Sequence, residues 1–410
     1  MTERVSRRLV LATLGAVTVA GCIDGGEYTG DDGLDDDGPR SDRGGTPRGT
    51  PAPPPADAET VFVGDDPPDG EPANAPPFAD RKLPLPMPPD ELSDHAIDGG
   101  PPQDGIPSID DPDFLDASEA DAQPFLDDET VVLGVAGEAG GKAYTRRVLV
   151  HHEIVNDTID GTPVAVTYCP LTGTAQGFVR GDTEFGVSGM LINNNLIMYD
   201  RERERWWPQI PAVSIPGPWD DSPGGAALEE FRVIRTTWER WKAAHPETVL
   251  MSEDTGFARD YNRDPYGERG YYGLDGTMFE NLFEDPYHHA KEWVYGVRSH
   301  EGSAAFVKAA VRERGIVEGA VGETPHLAVY DPDLDTGYVY RNPDEESFDY
   351  DDGEVTDDDD TEATLDDGAE VIDEHGGAHA PENLPLERVL AFDAYWFAWT
   401  AYYPDRAVYD

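Results

Sequence analysis

Beyond residue 130 the chain alternates apolar and polar positions in short runs separated by Gly and Asp, and this period of two predicts mainly antiparallel strands. Strands are expected over 131–136, 174–180, 184–191, 196–200 and 205–210, and again over 293–298. Helical spacing is confined to short stretches: 142–152, 303–314, 237–244 behind a Thr236-x-x-Glu239 capping box, and 394–402. The expected class is therefore α+β with mainly antiparallel sheet.

One hairpin is specified in detail. His151-His152-Glu153 leads into IVNDTIDGTPVAVTY and then Cys169-Pro170, with Asp160-Gly161 as a two-residue primed turn. Ile159 then faces Thr162, Val155 faces Val166, and the same register carried outward sets His152 opposite Cys169. Pro163 falls opposite Thr158, where its missing N–H costs no bond within the hairpin.

The chain also matches itself. Shifted by 162 residues, 132–170 aligns with 294–332 without a gap and agrees at 11 of 39 positions. Gly134-Val135 falls on Gly296-Val297, Ile154-Val155 on Ile316-Val317, Thr162-Pro163 on Thr324-Pro325, and the Asp160-Gly161 turn on Gly322-Glu323. At an offset of 158, Trp238, Trp241 and Pro246 fall on Trp396, Trp399 and Pro404. This pattern predicts two tandem duplicated halves in one compact core, 124–250 and 291–410, joined by 251–290. Trp206, Trp207, Trp238, Trp241, Trp396 and Trp399 are expected in that core.

Composition changes the picture at the ends. A net charge of -54, from 84 acids against 30 bases of which only five are Lys, disfavours nucleic-acid binding and fits a surface adapted to high salt. Arg7-Arg8, an uncharged run to Ala20 and Val19-Ala20-Gly21-Cys22 read as a twin-arginine signal with a lipobox over 1–22. Cys22 is then the lipidated residue, and the expected location is the outer face of the cytoplasmic membrane, held there by lipid. Residues 23–123, rich in Asp, Gly and Pro, are expected to be a disordered tether, near whose end PFADRKLPLPMPPDEL and GIPSIDDPDFLDA carry apolar residues that could dock on the domain, and the acidic run within 344–380 a disordered insertion.

With Cys22 lipidated, Cys169 is the one thiol of the mature protein and has no disulfide partner. Beside His152 it could form a thiolate–imidazolium pair for redox or nucleophilic chemistry. Alternatively, Cys169, His152, His151 and Glu153 could ligate a soft or borderline transition metal. The plainer alternative is a buried Cys acting as a small hydrophobe. The second half is an internal control: Glu313, Arg314, Gly315 and Asp331 stand where His151, His152, Glu153 and Cys169 stand in the first, so scaffold residues recur and chemically capable ones do not. A second candidate group, Arg259, Asp260, Tyr261, Arg263, Asp264 and Tyr266, could bind a polar ligand through charge-assisted bonds. His288-His289 is read as surface histidine.

The stretches HHEIVNDTIDGTPVAVTYCPLTGTAQGF, FGVSGMLINNNLIMYDRERERWWPQ, TTWERWKAAHPETVL and RDYNRDPYG resemble the exported proteins of domain-of-unknown-function family 3179. The resemblance spans about 130–404 and implies no established activity, cofactor or catalytic residue. Similar proteins carry a C-P-L-C-G pair; here the second position is Thr172, so a vicinal-dithiol cycle is absent from this chain. Three functions stay open on the sequence: binding of a small ligand or metal at Cys169 and His152, a cysteine-dependent enzyme, and a cell-surface scaffold.

Overall fold

The computed structural model describes residues 60–64, 75–220, 222–352 and 368–410. The expected signal over 1–22, Cys22 and most of the acidic run lie outside the described residues. Val131–Val135 pairs antiparallel with Lys142–Thr145 on one side and Ile234–Thr237 on the other, and Val249–Met251 joins Lys142–Thr145 in parallel. In the same order, Trp293–Ser299 lies between Gly302–Val307 and Ala391–Tyr395, and Ala407–Tyr409 joins Gly302–Val307 in parallel. Gly134 and Gly296 occupy the same place in the two sheets. A Cβ on either would sit 2.3 Å from the indole of Trp241 or Trp399, so both positions admit only glycine without repacking a buried Trp.

A helix of seven residues and then a hairpin follow each sheet pair: Arg146–His152 before Ile154–Ile159 and Thr162–Cys169, and Lys308–Arg314 before Ile316–Val321 and Thr324–Asp331. The first hairpin has the expected register, Val155 against Val166 and Thr158 against Pro163. Asp160 (φ 48) and Gly161 (φ 81) make its turn; in the second hairpin Gly322 (φ 59) supplies the positive φ. Thr174–Val179 and Thr336–Arg341 each add a third antiparallel strand. In the first half Phe185–Ile192, Asn195–Asp200 and Trp206–Pro208 form a further sheet. Trp207, Trp238, Trp241, Trp396 and Trp399 are buried as expected, and Trp206 is partly so.

Several expectations are corrected. The helices expected at 142 and 303 begin only at Arg146 and Lys308, because Lys142–Thr145 and Gly302–Val307 are claimed by strands on both sides. Ladder pairing overrides local helix spacing. The last helix likewise starts at Trp396, after a strand running to Tyr395. The cap of Trp238–Ala244 is Thr237, whose side chain accepts from Arg240 N, and not Thr236.

Over 75–123 the chain is no free tether: the two stretches expected as docking segments, 77–92 and 105–117, pack on the domain. Leu83, Leu85 and Leu92 are buried in the main core. Ile109–Asp110 runs parallel to Ile154–Ile159, and Phe114–Asp116 pairs with Val249–Met251. This segment has few apolar residues, but it borrows its backbone partners from strands formed elsewhere. Within the acidic insertion, Phe348–Asp351, Glu370–Asp373 and Ala378–His379 form a small antiparallel sheet.

Candidate functional site

Helix Arg146–His152 stops at Glu153, which adopts the left-handed conformation (φ 60, ψ -28) and donates its N–H to Leu149 O. Its carbonyl accepts from Tyr168 N at 2.7 Å. The second half builds the same cap with Gly315 (φ 73), which donates to Val311 O and accepts from Tyr330 N at 2.7 Å. Glycine is the residue that this backbone favours; a side chain there costs about 1 kcal/mol or more.

The Glu153 carboxyl is also buried, 6 % exposed, and burial pushes it up to about 8 against the opposing effect of a hydrogen bond with Tyr266. At neutral pH it is mostly protonated. Beside it lies Cys169, 2 % exposed, whose thiol donates to Asn194 O at 3.5 Å. Burial first, and the Glu153 charge second, push that thiol up to about 11. The Tyr266 phenol is raised by burial and then by Glu153 and Cys169. Tyr271 is buried as well and donates to Leu171 O at 2.7 Å.

His152 does not join the thiol. The left-handed turn at Glu153 ends the extended ladder one residue before it, so the extrapolated pairing with Cys169 does not form. Its ring Nδ1 lies 2.8 Å from Pro107 O and its Nε2 2.7 Å from Tyr261 Oη. Because a carbonyl only accepts, Nδ1 carries the proton and Nε2 accepts from Tyr261. Tyr261 in turn meets Thr255 Oγ1 at 2.5 Å. Burial pushes His152 down to about 4 and keeps it neutral. The thiolate–imidazolium reading loses its geometry here. So does the metal reading: among the described residues no three His, Cys, Asp or Glu side chains converge as ligands.

The two candidate groups of the sequence meet instead through residues 251–290, which cover the end of this helix. His151 Nε2 donates to Arg263 O at 2.7 Å, Tyr261 holds His152, and the Tyr266 phenol comes close enough to the Glu153 carboxyl for each to shift the other's titration. Asp264 pairs with Arg146 at 3.1 Å and accepts from Tyr266 N, Gly267 N and Tyr272 Oη. Arg147 donates to Asn262 Oδ1 at 2.8 Å, and Asn194 exchanges bonds with Phe279. Tyr261, Asp264 and Tyr266 therefore belong to the site. Arg259, Asp260 and Arg263 are exposed; Asp260 caps a local turn at Asn262 and Arg263 pairs with Glu268.

Tyr168, Tyr271 and Asn194 complete the surroundings and escaped sequence reasoning. Tyr168 recurs as Tyr330 and so reads as scaffold. Asn194 sits in a turn with φ 59, a position for which an Asn is ordinary. His288, expected at the surface, is buried with its ring 4.8 Å from Trp396 and takes no part.

A family model described as Protein of unknown function (DUF3179) matches residues 103–406. The chain belongs to this family. The DUF3179 match begins before Pro107, the partner of His152, and runs through the covering segment, so the entire Glu153 site lies inside it. No curated protein and no solved structure matches the chain. In this DUF3179 member Thr172 is fully buried and donates its N–H to Cys169 O at 3.3 Å.

Proposed function

We propose that this DUF3179 protein is an exported, lipid-anchored binding protein of a halophilic cell, holding a small polar ligand at Glu153 beneath residues 251–290. The observation that carries the site is Glu153 itself, a buried carboxyl in a left-handed position that Gly315 fills in the second half. Backbone strain and burial both oppose it, and a mostly protonated carboxyl there can donate a hydrogen bond to a ligand acceptor. Tyr266 and Tyr271 bring further hydroxyls from the covering segment. Covalent catalysis by Cys169 forms no part of the proposal, because a thiol pushed up to about 11 holds almost no thiolate at neutral pH.

Entry of a ligand requires 251–290 to lift, and the ties at Tyr261, Asn262 and Asp264 are what must break. A thermal-shift screen of small polar metabolites in molar salt, with Glu153→Gln run beside the wild type, tests the reading. Supporting compounds raise Tm in the wild type and lose that shift in the variant. If every active compound keeps its shift in Glu153→Gln, or none shifts the wild type, the reading fails.

Export rests on the sequence of 1–22. Substituting Arg7 and Arg8 together by Lys is expected to leave the protein in the cytoplasm, and Cys22→Ser to release it from the membrane fraction. Unchanged membrane recovery in both would overturn the anchoring. We infer also that the halves arose by duplication, supported by the matching sheet orders and by the Gly134/Trp241 and Gly296/Trp399 contacts. An experimental structure in which the two hairpins failed to superpose would count against it.

A further inference from the structure

A cleft of about 560 Å³ lies well away from Glu153, between the first-half hairpin and the Thr336–Arg341 ladder of the second. Val135, Ile159, Val164, Phe231 and Leu334 give it apolar walls. Tyr338, 3 % exposed, has two guanidinium groups close to its ring: Arg232 is 4.7 Å and Arg388 5.4 Å from the ring centroid.

Arg232 and Arg388, like Arg180, donate to no carboxylate among the described residues, whereas other arginines do. Arg205, Arg298, Arg406 and Arg146 each pair with a carboxylate. Among the described residues Arg232 donates only to Thr336 Oγ1 and to the carbonyls of Gly337 and Ala391, and its Nε has no partner there. Arg388 donates only to Glu382 O, at 3.4 Å. In a sequence with 84 acids, two positive groups on one ring lack a carboxylate partner among the described residues. The cleft's own acids do not fill that role. Asp160 accepts from Glu138 N, and Asp331 from the N–H groups of Asp333 and Leu334. Asp160, Asp331, Asp333 and Glu382 line the same cleft, and their negative charge disfavours a dianion such as a phosphate monoester more than a monoanion.

We propose that this cleft binds a small monocarboxylic acid with a flat apolar body, the carboxylate meeting Arg232 and Arg388 and the body lying against the apolar wall. A cleft of this size, apolar with a few convergent polar groups, is an ordinary small-molecule site. Charge-assisted bonds to guanidinium fix the orientation of the acid.

The test is isothermal titration of the full-length protein in molar salt with 2-naphthoate, with neutral 2-naphthamide as comparator. Saturable one-to-one binding of naphthoate is expected, about tenfold weaker for naphthamide and about tenfold weaker in Arg388→Gln. Arg388 is exposed, and its side-chain contacts are one long bond to Glu382 O and the Tyr338 ring, so this variant is expected to keep a Tm near the wild-type value, whereas Arg232→Gln risks the fold through Thr336 and Gly337. Glu153→Gln leaves naphthoate binding unchanged, which separates this cleft from the Glu153 site. Absence of saturable binding, equal affinity for naphthamide, or full affinity in Arg388→Gln overturns the proposal.

Discussion

Glu230→Ala is expected to cost the fold about 3 to 5 kcal/mol, the range for removing one partner of a buried ion pair. The Glu230 side chain is fully buried and its Oε1 accepts from Arg298 Nη2 and from Gln176 Nε2, both at 2.9 Å. Its Oε2 accepts from Arg81. Arg298 is 1 % exposed, so alanine at 230 strands a guanidinium in the core. Four segments meet at this carboxylate: the N-terminal strap through Arg81, two strands of the first half, and Trp293–Ser299 of the second. Molar salt does not soften the effect much, since screening reaches buried pairs weakly. Arg81→Ala is expected to be milder because Arg81 is 32 % exposed and water can replace it. Urea unfolding in constant salt measures both; a loss below about 1 kcal/mol for Glu230→Ala would mean that the triad is not a structural lock.

Arg81 marks where the sequence stops being legible. Local composition reports whether a segment can bury its own surface, and 75–123 cannot. What it cannot report is that the segment completes sheets made by other residues, as Ile109–Asp110 does beside Ile154–Ile159. The hairpin was legible to the residue because an Asp-Gly turn fixes register and the alternation fixes the face. The helix starts at 142 and 303 were not, because Lys142–Thr145 and Gly302–Val307 are strands by virtue of distant partners.

At the site, the sequence located both halves of the constellation and mispaired them. His152 and Cys169 follow from extending the register, and the register fails at one residue, Glu153, where the backbone turns left-handed. A φ above zero on a Glu has no sequence signature of its own. Gly315 at the matching position was the available clue: where one half needs glycine, the other half's side chain is out of place. Tyr261 and Tyr266 stood out only as a group of polar and aromatic residues, and their partners His152 and Glu153 lie more than a hundred positions upstream.

Glu153→Gln is expected to remove a pH dependence on the order of 5 kcal/mol. The carboxyl titrates near 4.5 when unfolded and at about 8 in the fold. The folded state therefore binds a proton that the unfolded chain has released between those values. Its contribution is complete below 4.5, falls as pH rises, and is gone above about 8. His152 acts in the opposite sense. Its pKa drops from 6.5 to about 4, so folding favours the neutral ring, and stability is lost as pH falls from 6.5 toward 4, where a proton on Nε2 would displace Tyr261. Between 4.5 and 6.5 the two slopes oppose each other; from 6.5 to 8 Glu153 acts without that opposition. The measurement is urea unfolding at pH 6.5 and 8 in constant salt, for wild type and Glu153→Gln. The wild type should lose more stability over that step than the variant, and parallel changes would show that Glu153 is ionised in the fold throughout. Glu153→Gly gives an independent check, since it relieves the left-handed strain and removes the carboxyl together. It should be the most stable of the three at pH 8, and if the site binds a ligand through this carboxyl, it gains that stability while losing the ligand.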